Sequence, residues 1–505
     1  MSVLVGLVVV VPLVAAMLSL GVRRRAGVRD LIVLGSLLGV SSMSALLLGH
    51  VEANGSLVVS VGGWGPELGI VLVADMFAVM VLAVAMVTIT LVEAFSIGQR
   101  RSSSGADPTV AAPMLLVLTA GVALSILTGD LFTLFVAFEL MLVASYVLLT
   151  HRGRAGQVRS GMTYVVINLF ASTLFLFGVA FVYSATGTVN LALLVERIPE
   201  LDDAVRWGIG LWFLVVFGTK AAMFPLFSWL PDSYPTAPTT ITAVFAGLLT
   251  KIGVYVMIRF HTLMSMDDLG PVILVIAGLT MIVGVLGALA QDDMKRILSF
   301  HIVSQIGYML MGLGLFSVAG VAGAIIFVVH QIPVKTVLFL VGAMIETDRR
   351  TSALSKLGGL VSTRPWLAVA FALPALSLAG LPPFSGFVAK FALIDAGIDE
   401  GAVAIVVVGL VGSALTLLSM VKIWTGVFWG PQNAPAFHAP DSEEWAPRPA
   451  TARGWSTMSF TTGAAAALTL AIAVFAGPLW DMSERAATEL LDGEVYVTDV
   501  LGSDR

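Results

Sequence analysis

Apolar runs of about 20 residues, separated by short charged loops, recur along the whole chain and leave little choice of fold. A helix needs roughly 20 apolar residues to cross the hydrocarbon core of a bilayer. Such runs lie near 2–21, 31–49, 69–93, 110–129, 131–150, 161–184, 206–230, 237–260, 270–290, 295–316, 319–344, 366–394, 403–429 and 459–479, which makes fourteen. They are continuous, without the residue-by-residue alternation of a membrane β-barrel strand. Only 12% of the 505 residues are charged, about half the share in a soluble domain. The sequence therefore predicts an all-α polytopic membrane protein.

The first run is followed by Arg23, Arg24 and Arg25. A secretory signal carries its positive charge before the apolar core, so 2–21 reads as a retained span. There is no cysteine, which excludes disulfides and thiolate metal sites. The net charge of -5 gives no sign of a nucleic-acid partner, and no motif for a cofactor stands out.

Charge orients the bundle. Loops after odd-numbered spans carry Arg23, Arg24, Arg25, Arg29, Arg100, Arg101, Arg152, Arg154, Arg159, Lys295, Arg296, Arg349, Arg350, Lys356, Arg364, Arg448 and Arg453, seventeen cations. Loops after even spans, with the C-terminal tail, carry five: Arg197, Arg206, Arg259, Arg485 and Arg505. The positive-inside rule puts the odd loops in the cytoplasm and both termini outside.

Twenty-two of the 27 Lys and Arg residues are thereby placed, and arginine fills twenty of those positions. The other five are Lys220, Lys251, Lys335, Lys390 and Lys422; all lie within spans, and all are lysine. A cation at mid-membrane costs about 2.5–3.5 kcal/mol on insertion scales. Arginine would cost a similar amount, so cost alone does not select lysine. The chemical difference is titration, because a buried ammonium can release its proton whereas a guanidinium keeps it. Snorkelling suits Lys422, near a span end, but suits Lys220, Lys251 and Lys335 poorly.

Glu139 is the lone acid of the fifth span, and a pairing with Lys220 is expected. His330 and Lys335 flank Pro333 in the eleventh span. Asp75 opens the third span and reads as a start signal. His301, inside the tenth span, is open between a structural and a functional role.

Lys220 and Lys390 are 170 residues apart, Lys251 and Lys422 171. Spans 4–8 and 9–13 thus carry lysines at matched spacing. Five spans is an odd number, so the second copy runs the opposite way, as in the inverted repeats of secondary transporters. Spans 7 and 12 are both broken, by FPLFSWLP and GLPPFSGF. The expected organisation is 1–109 for spans 1–3, 110–260 and 270–430 for the two five-helix repeats, and 431–505 for a cytoplasmic loop, span 14 and an acidic tail. The loop and tail read as subunit contacts or disordered ends.

The segments FGTKAAMFPLFSWLPDSYPTAPTTITAVFAGLLTKIGVY, QDDMKRILSFHIVSQIGYM, VVHQIPVKTVLFLVGAM and LPALSLAGLPPFSGFVAK resemble the proton-translocating subunits shared by respiratory complex I and the Mrp cation/proton antiporters. Within that family, SFHIVSQIGYM and HQIPVKT are most similar to the D subunits of the Mrp branch. The resemblance covers roughly 70–430. It implies a glutamate–lysine pair on spans five and seven, followed by a relay; carried over, these are Glu139, Lys220, Lys251, His330 with Lys335, and Lys390. Gln331 departs from the family pattern, which more often has an acid after the histidine. The resemblance further implies a subunit of a hetero-oligomeric sodium(cation)/proton antiporter, working with other subunits in the bilayer. The alternatives are an antiporter-like subunit of complex I or a membrane-bound hydrogenase, and a scaffold whose charges only stabilise packing. No sodium site can be named from the sequence.

Overall fold

The computed structural model describes the chain except for residues 66–68, 103–107, 152, 154, 432–450 and 503–505. Much of the loop expected at 431–458 lies outside the described residues, as do Arg152, Arg154, Arg448 and Arg505.

The chain opens with α1 (Ser2–Gly21) and α2 (Ala26–Asn54), then a hairpin of β1 (Leu57–Ser60) and β2 (Val71–Ala74). Helices α3 (Met76–Ser102), α4 (Pro108–Leu127), α5 (Leu131–Thr150) and α6 (Ala155–Thr186) follow, with a short α7 (Leu191–Arg197). Next come α8 (Asp203–Ala221), α9 (Trp229–Ser233), α10 (Thr239–Val244), α11 (Thr250–Leu263), α12 (Gly270–Leu289), α13 (Met294–Leu315) and α14 (Val318–Arg349). The chain continues through α15 (Leu360–Thr363), α16 (Pro365–Ala379), α17 (Ser385–Asp399), α18 (Val403–Val427), α19 (Ala452–Val474), α20 (Ala476–Asp492) and α21 (Glu494–Leu501).

Among the described residues, 13 helical segments are long and apolar enough to cross a membrane. The twelfth expected span is instead two shorter helices, α16 and α17, meeting at Gly380–Phe384. The seventh is likewise shorter than its apolar run: α8 stops at Ala221, and residues 222–228 are irregular before α9.

Three other boundaries differ from the hydropathy reading. The third span begins at Met76 rather than near 69, because 71–74 pairs as a strand, with Leu57 opposite Ala74 and Ser60 opposite Val71. Alternating β-branched residues satisfy a strand as well as an apolar run does. The last span is Ala452–Val474 rather than 459–479. The acidic tail is ordered as α20 and α21. The inner face of α20 is apolar, and Met482, Ala486, Ala487 and Leu490 are buried against the bundle.

The centre is α14. Its 32 residues are buried along the spanning stretch, as are those of the α10–α11 segment. Helices α1, α2, α6, α12, α18 and α19 form the rim and are less than half buried. Their outward side chains, such as Leu31, Phe170, Val275, Leu418 and Phe460, are exposed and apolar, the surface expected where lipid replaces water. Four of the five in-span lysines therefore lie on the inner or broken helices, away from the apolar rim.

Candidate functional site

Lys220 sits in the last turn of α8 and is 4% exposed. The helix ends because Ala222 adopts a left-handed conformation (φ 62°). Backbone groups at the break are satisfied by Thr280 Oγ1, which accepts from Phe224 N at 3.1 Å, and by Trp229 Nε1, which donates to Thr219 O at 3.1 Å. The ammonium donates to Asn168 O (3.1 Å) and Ser172 Oγ (2.9 Å) on α6, and lies 5.9 Å from the Phe138 ring. A helix C-terminus is the negative end of the helix dipole, where a cation is favoured.

The pairing expected of Glu139 with Lys220 is electrostatic and not a direct contact. Among the described residues, no contact within ion-pair distance joins Glu139 to Lys220, whose partners are the two α6 acceptors. The carboxylate still acts electrostatically on Lys220, and its buried Oε1 has no hydrogen-bond partner among the described residues. The two groups are neighbours held apart.

Lys251 is fully buried near the start of α11. It follows a wide π-helical turn at Phe245–Leu249. Its Nζ donates to Ala246 O at 2.6 Å, a carbonyl of that turn, and reaches Thr250 Oγ1 at 3.5 Å. Such turns leave carbonyls without their ordinary i+4 partner, and they concentrate at functional sites. The end of α8 and the helix α11 approach closely at Gly253, where an added Cβ would lie 2.7 Å from Ala221 N and 3.0 Å from the Lys220 carbonyl carbon.

Lys335 is wholly buried on α14, and its Nζ has no hydrogen-bond partner among the described residues. It lies within electrostatic reach of both Lys251 and Lys390. Pro333 does not interrupt α14. His330 Nδ1 lies 2.8 Å from Ser385 Oγ on α17, and its Nε2 is buried without a partner among the described residues. Lys390 donates to Ser413 Oγ on α18 at 2.8 Å and to Ala379 O at 3.4 Å. Its Nζ also lies 4.5 Å from the Tyr308 ring centroid. Ala379 is the last residue of α16. Lys390 therefore sits after the break in sequence but reaches back to the carbonyl end of the helix before it.

The other polar groups separate into two kinds. Lys422 is partly exposed, and its Nζ donates to Leu289 O (2.8 Å) and Gln291 O (2.6 Å) at the end of α12. It caps a helix. His301 is buried, with Nε2 2.8 Å from Ser419 Oγ, within electrostatic reach of Lys335 and Lys390. Gln331 Nε2 contacts Gln305 Oε1 at 3.5 Å.

Ser172, Ser385, Tyr308 and Ser413 serve the charged row with their side chains and were missed from sequence, whereas Asn168 serves it with its backbone carbonyl. The available signal was a polar side chain within an apolar span, but many span hydroxyls merely bond their own helix: Thr119 and Ser125 donate to carbonyls four residues back. Among the described residues, no group of three or more His, Asp or Glu side chains is placed to hold a metal ion.

The chain is similar to known membrane proteins of one family. Residues 128–416 match the transmembrane family described as NADH:quinone oxidoreductase/Mrp antiporter. The D component of the Na(+)/H(+) antiporter of Alkalihalophilus pseudofirmus is 43% identical over 477 residues, covering 92% of each chain. That of Bacillus subtilis is 36% identical over 468 residues, covering 91% of each. A chain in the structure of the Mrp complex from Dietzia sp. DQ12-45-1b superposes with a TM-score of 0.90 at 34% identity, covering 99% of this chain and 100% of that one. A chain of the archaeal membrane-bound sulfane sulfur reductase, a respiratory membrane complex, shares the fold with a TM-score of 0.89 at 23% identity, covering 99% of this chain and 100% of that one.

Proposed function

This chain belongs to the NADH:quinone oxidoreductase/Mrp antiporter transmembrane family, and from that premise we propose that it is the proton-translocating subunit of a multisubunit sodium(cation)/proton antiporter. It acts as a transporter subunit rather than an enzyme, in the plasma (inner) membrane of a prokaryote and beside other membrane subunits. The observation that carries this reading is the buried row of Lys220, Lys251, Lys335 and Lys390, which crosses from the first broken helix to the second through α14 with neutral acceptors at three of its four members.

Neutral acceptors hold an ammonium without locking it. An ion pair would pin each lysine in its charged form, whereas carbonyls and hydroxyls let the amine lose a proton and regain it. A proton entering one lysine raises the electrostatic cost of charge on the next, which favours transfer along the row. Glu139 supplies the gate: when it swings onto Lys220 the ammonium is held, and when it withdraws, as here, Lys220 is released to its α6 acceptors and can pass a proton to Lys251. His330 with Lys335 forms the middle of the relay, and Lys390 ends it. Units 110–260 and 270–430 are read as inverted repeats, with cytoplasmic odd loops and both termini outside.

The test replaces Glu139 and Lys220 by Ala separately, in the complete complex, and measures sodium-dependent ΔpH in everted vesicles. Both variants are expected to assemble and to lose exchange. Full exchange in both, with normal assembly, would sink the mechanism.

A further inference from the structure

The midplane row needs a route to water, and the C-terminal helices cover a place where one begins. A cavity of about 10 Å³ lies between α20, α21 and the start of α3, lined by Asp75, Glu489, Asp499, Tyr496 and Ser56. That is room for about one water. Asp75 Oδ1 accepts from Ala78 N at 2.9 Å and from Arg259 Nη2 at 2.7 Å, so it is more than the start signal its position suggested.

Arg259 is not the loop cation of the sequence reading but is buried in α11, 3% exposed. It is ringed by Phe77, Tyr255 and Tyr496 at 5.9, 5.2 and 5.8 Å. Its Nε and Nη1 have no hydrogen-bond partner among the described residues, nor does the Tyr496 hydroxyl, and Tyr496 is 5% exposed. Arg259 also borders a second cavity of about 10 Å³, with Ser125 and Thr128. Unsatisfied buried donors beside two water-sized cavities are sites for ordered water.

We infer that Asp75, Glu489 and Asp499, gathered over Arg259, form the outer-face proton port of this subunit, with Glu489 as the group that exchanges protons with bulk water. This rests on the reading of the midplane row as the proton path. Three observations carry it: the shared cavity, the unpartnered donors of Arg259 on α11 and Tyr496 on α21, and the helix that joins Arg259 to Lys251. Arg259, Tyr255 and Lys251 are spaced four residues apart on α11, so they share one face and span about two turns.

The proton balance is simple. Outer water gives a proton to the Glu489 carboxylate; the acid O–H then breaks towards cavity water, and an N–H forms on neutral Lys251. Arg259 keeps its own protons throughout.

Burial pushes the Glu489 carboxyl up to about 7, helped by Asp75 and Asp499 and opposed by Arg485 and Arg259. The other titratable neighbours are Tyr255 and Tyr496. The folded protein holds this proton well above the ordinary pKa of 4.5. Docking of α20 therefore weakens as pH rises from that value through about 7.

The experiment uses the complete complex in everted vesicles with Glu489→Gln, Asp499→Asn, Lys220→Ala and, as a control, Glu484→Gln on the exposed side of α20. Glu489→Gln is expected to slow sodium-dependent ΔpH roughly a hundredfold with sodium half-saturation unchanged. Asp499→Asn, which removes a neighbouring negative charge, is expected to move the pH profile to lower pH. The control should match wild type. Wild-type rate and pH profile in assembled Glu489→Gln, or an unmoved profile in Asp499→Asn, overturns the port. If Lys220→Ala is dead while Glu489→Gln is normal, the row stands and the port is elsewhere. If both transport normally, the midplane reading has failed as well.

Discussion

Lys220 and Lys390 occupy two broken helices and solve one electrostatic problem in different ways. Lys220 stands at the end of α8, before the break; Lys390 stands in α17, after it. From sequence the reversed order looks like a flaw in the correspondence. In space the difference shrinks, because Lys220 stands in the last turn of α8 and Lys390 reaches back to Ala379 O at the end of α16, so both lysines are associated with the carbonyl end of a half-helix. That is the end where discontinuous membrane helices hold cations. What distinguishes the two is company: Lys220 has Glu139 nearby, whereas Lys390 has Ser413, the Tyr308 ring and, among the described residues, no acid in contact. On the proposed reading, this difference makes one end of the row the gated one and the other the end that passes protons on.

The largest effect should come from removing either amine. Lys220→Met and Lys390→Met should each cut sodium-dependent ΔpH by about two orders of magnitude or more, in complexes that still co-purify. Exchange surviving in one of them would show that the two ends are not equivalent links of one path.

The two turns give a finer contrast. Gly380 has φ +83°, and a Cβ there would lie 2.7 Å from Lys390 Cδ, so Gly380→Ala should cost about 1–2 kcal/mol and displace the lysine. The corresponding Ala222 already tolerates φ 62°. Ala222→Gly trades that strain for chain entropy and should change stability by less than about 1 kcal/mol. Thermal melting of the purified complexes reads both.

Hydroxyl deletion ranks next. Ser413→Ala leaves Lys390 with a 3.4 Å carbonyl contact and the Tyr308 ring, whereas Ser172→Ala leaves Lys220 with Asn168 O at 3.1 Å. The initial rate should fall more in Ser413→Ala. Equal losses would show that the acceptors are interchangeable. The smallest effect belongs to Lys422→Met, which removes a partly exposed helix cap and should leave transport per assembled complex unchanged.

The membrane class, the broken helices and the lysine row were legible because charge in an apolar span is costly and therefore conspicuous. The pairing of Lys251 with Lys422 by spacing did not carry over to placement: one is buried beside a π-helical turn, and the other caps α12. Spacing records position along a chain, not depth in a bundle. Arg259 was counted with the loops because it lies one residue from an apolar boundary, and nothing local tells a buried Arg–Asp pair from an interfacial cation. The tail helices were missed for a related reason. Their charges look like those of a solvated end, while the apolar face of α20 shows only at helical periodicity.

The most direct measurement is sodium-dependent ΔpH in everted vesicles containing the complete complex with Lys251→Arg. Arginine keeps the buried positive charge but does not give up its proton. If the row works by proton transfer, the assembled variant should be inactive. Exchange at the wild-type rate would mean that charge alone suffices, and it would contradict proton transfer along the row.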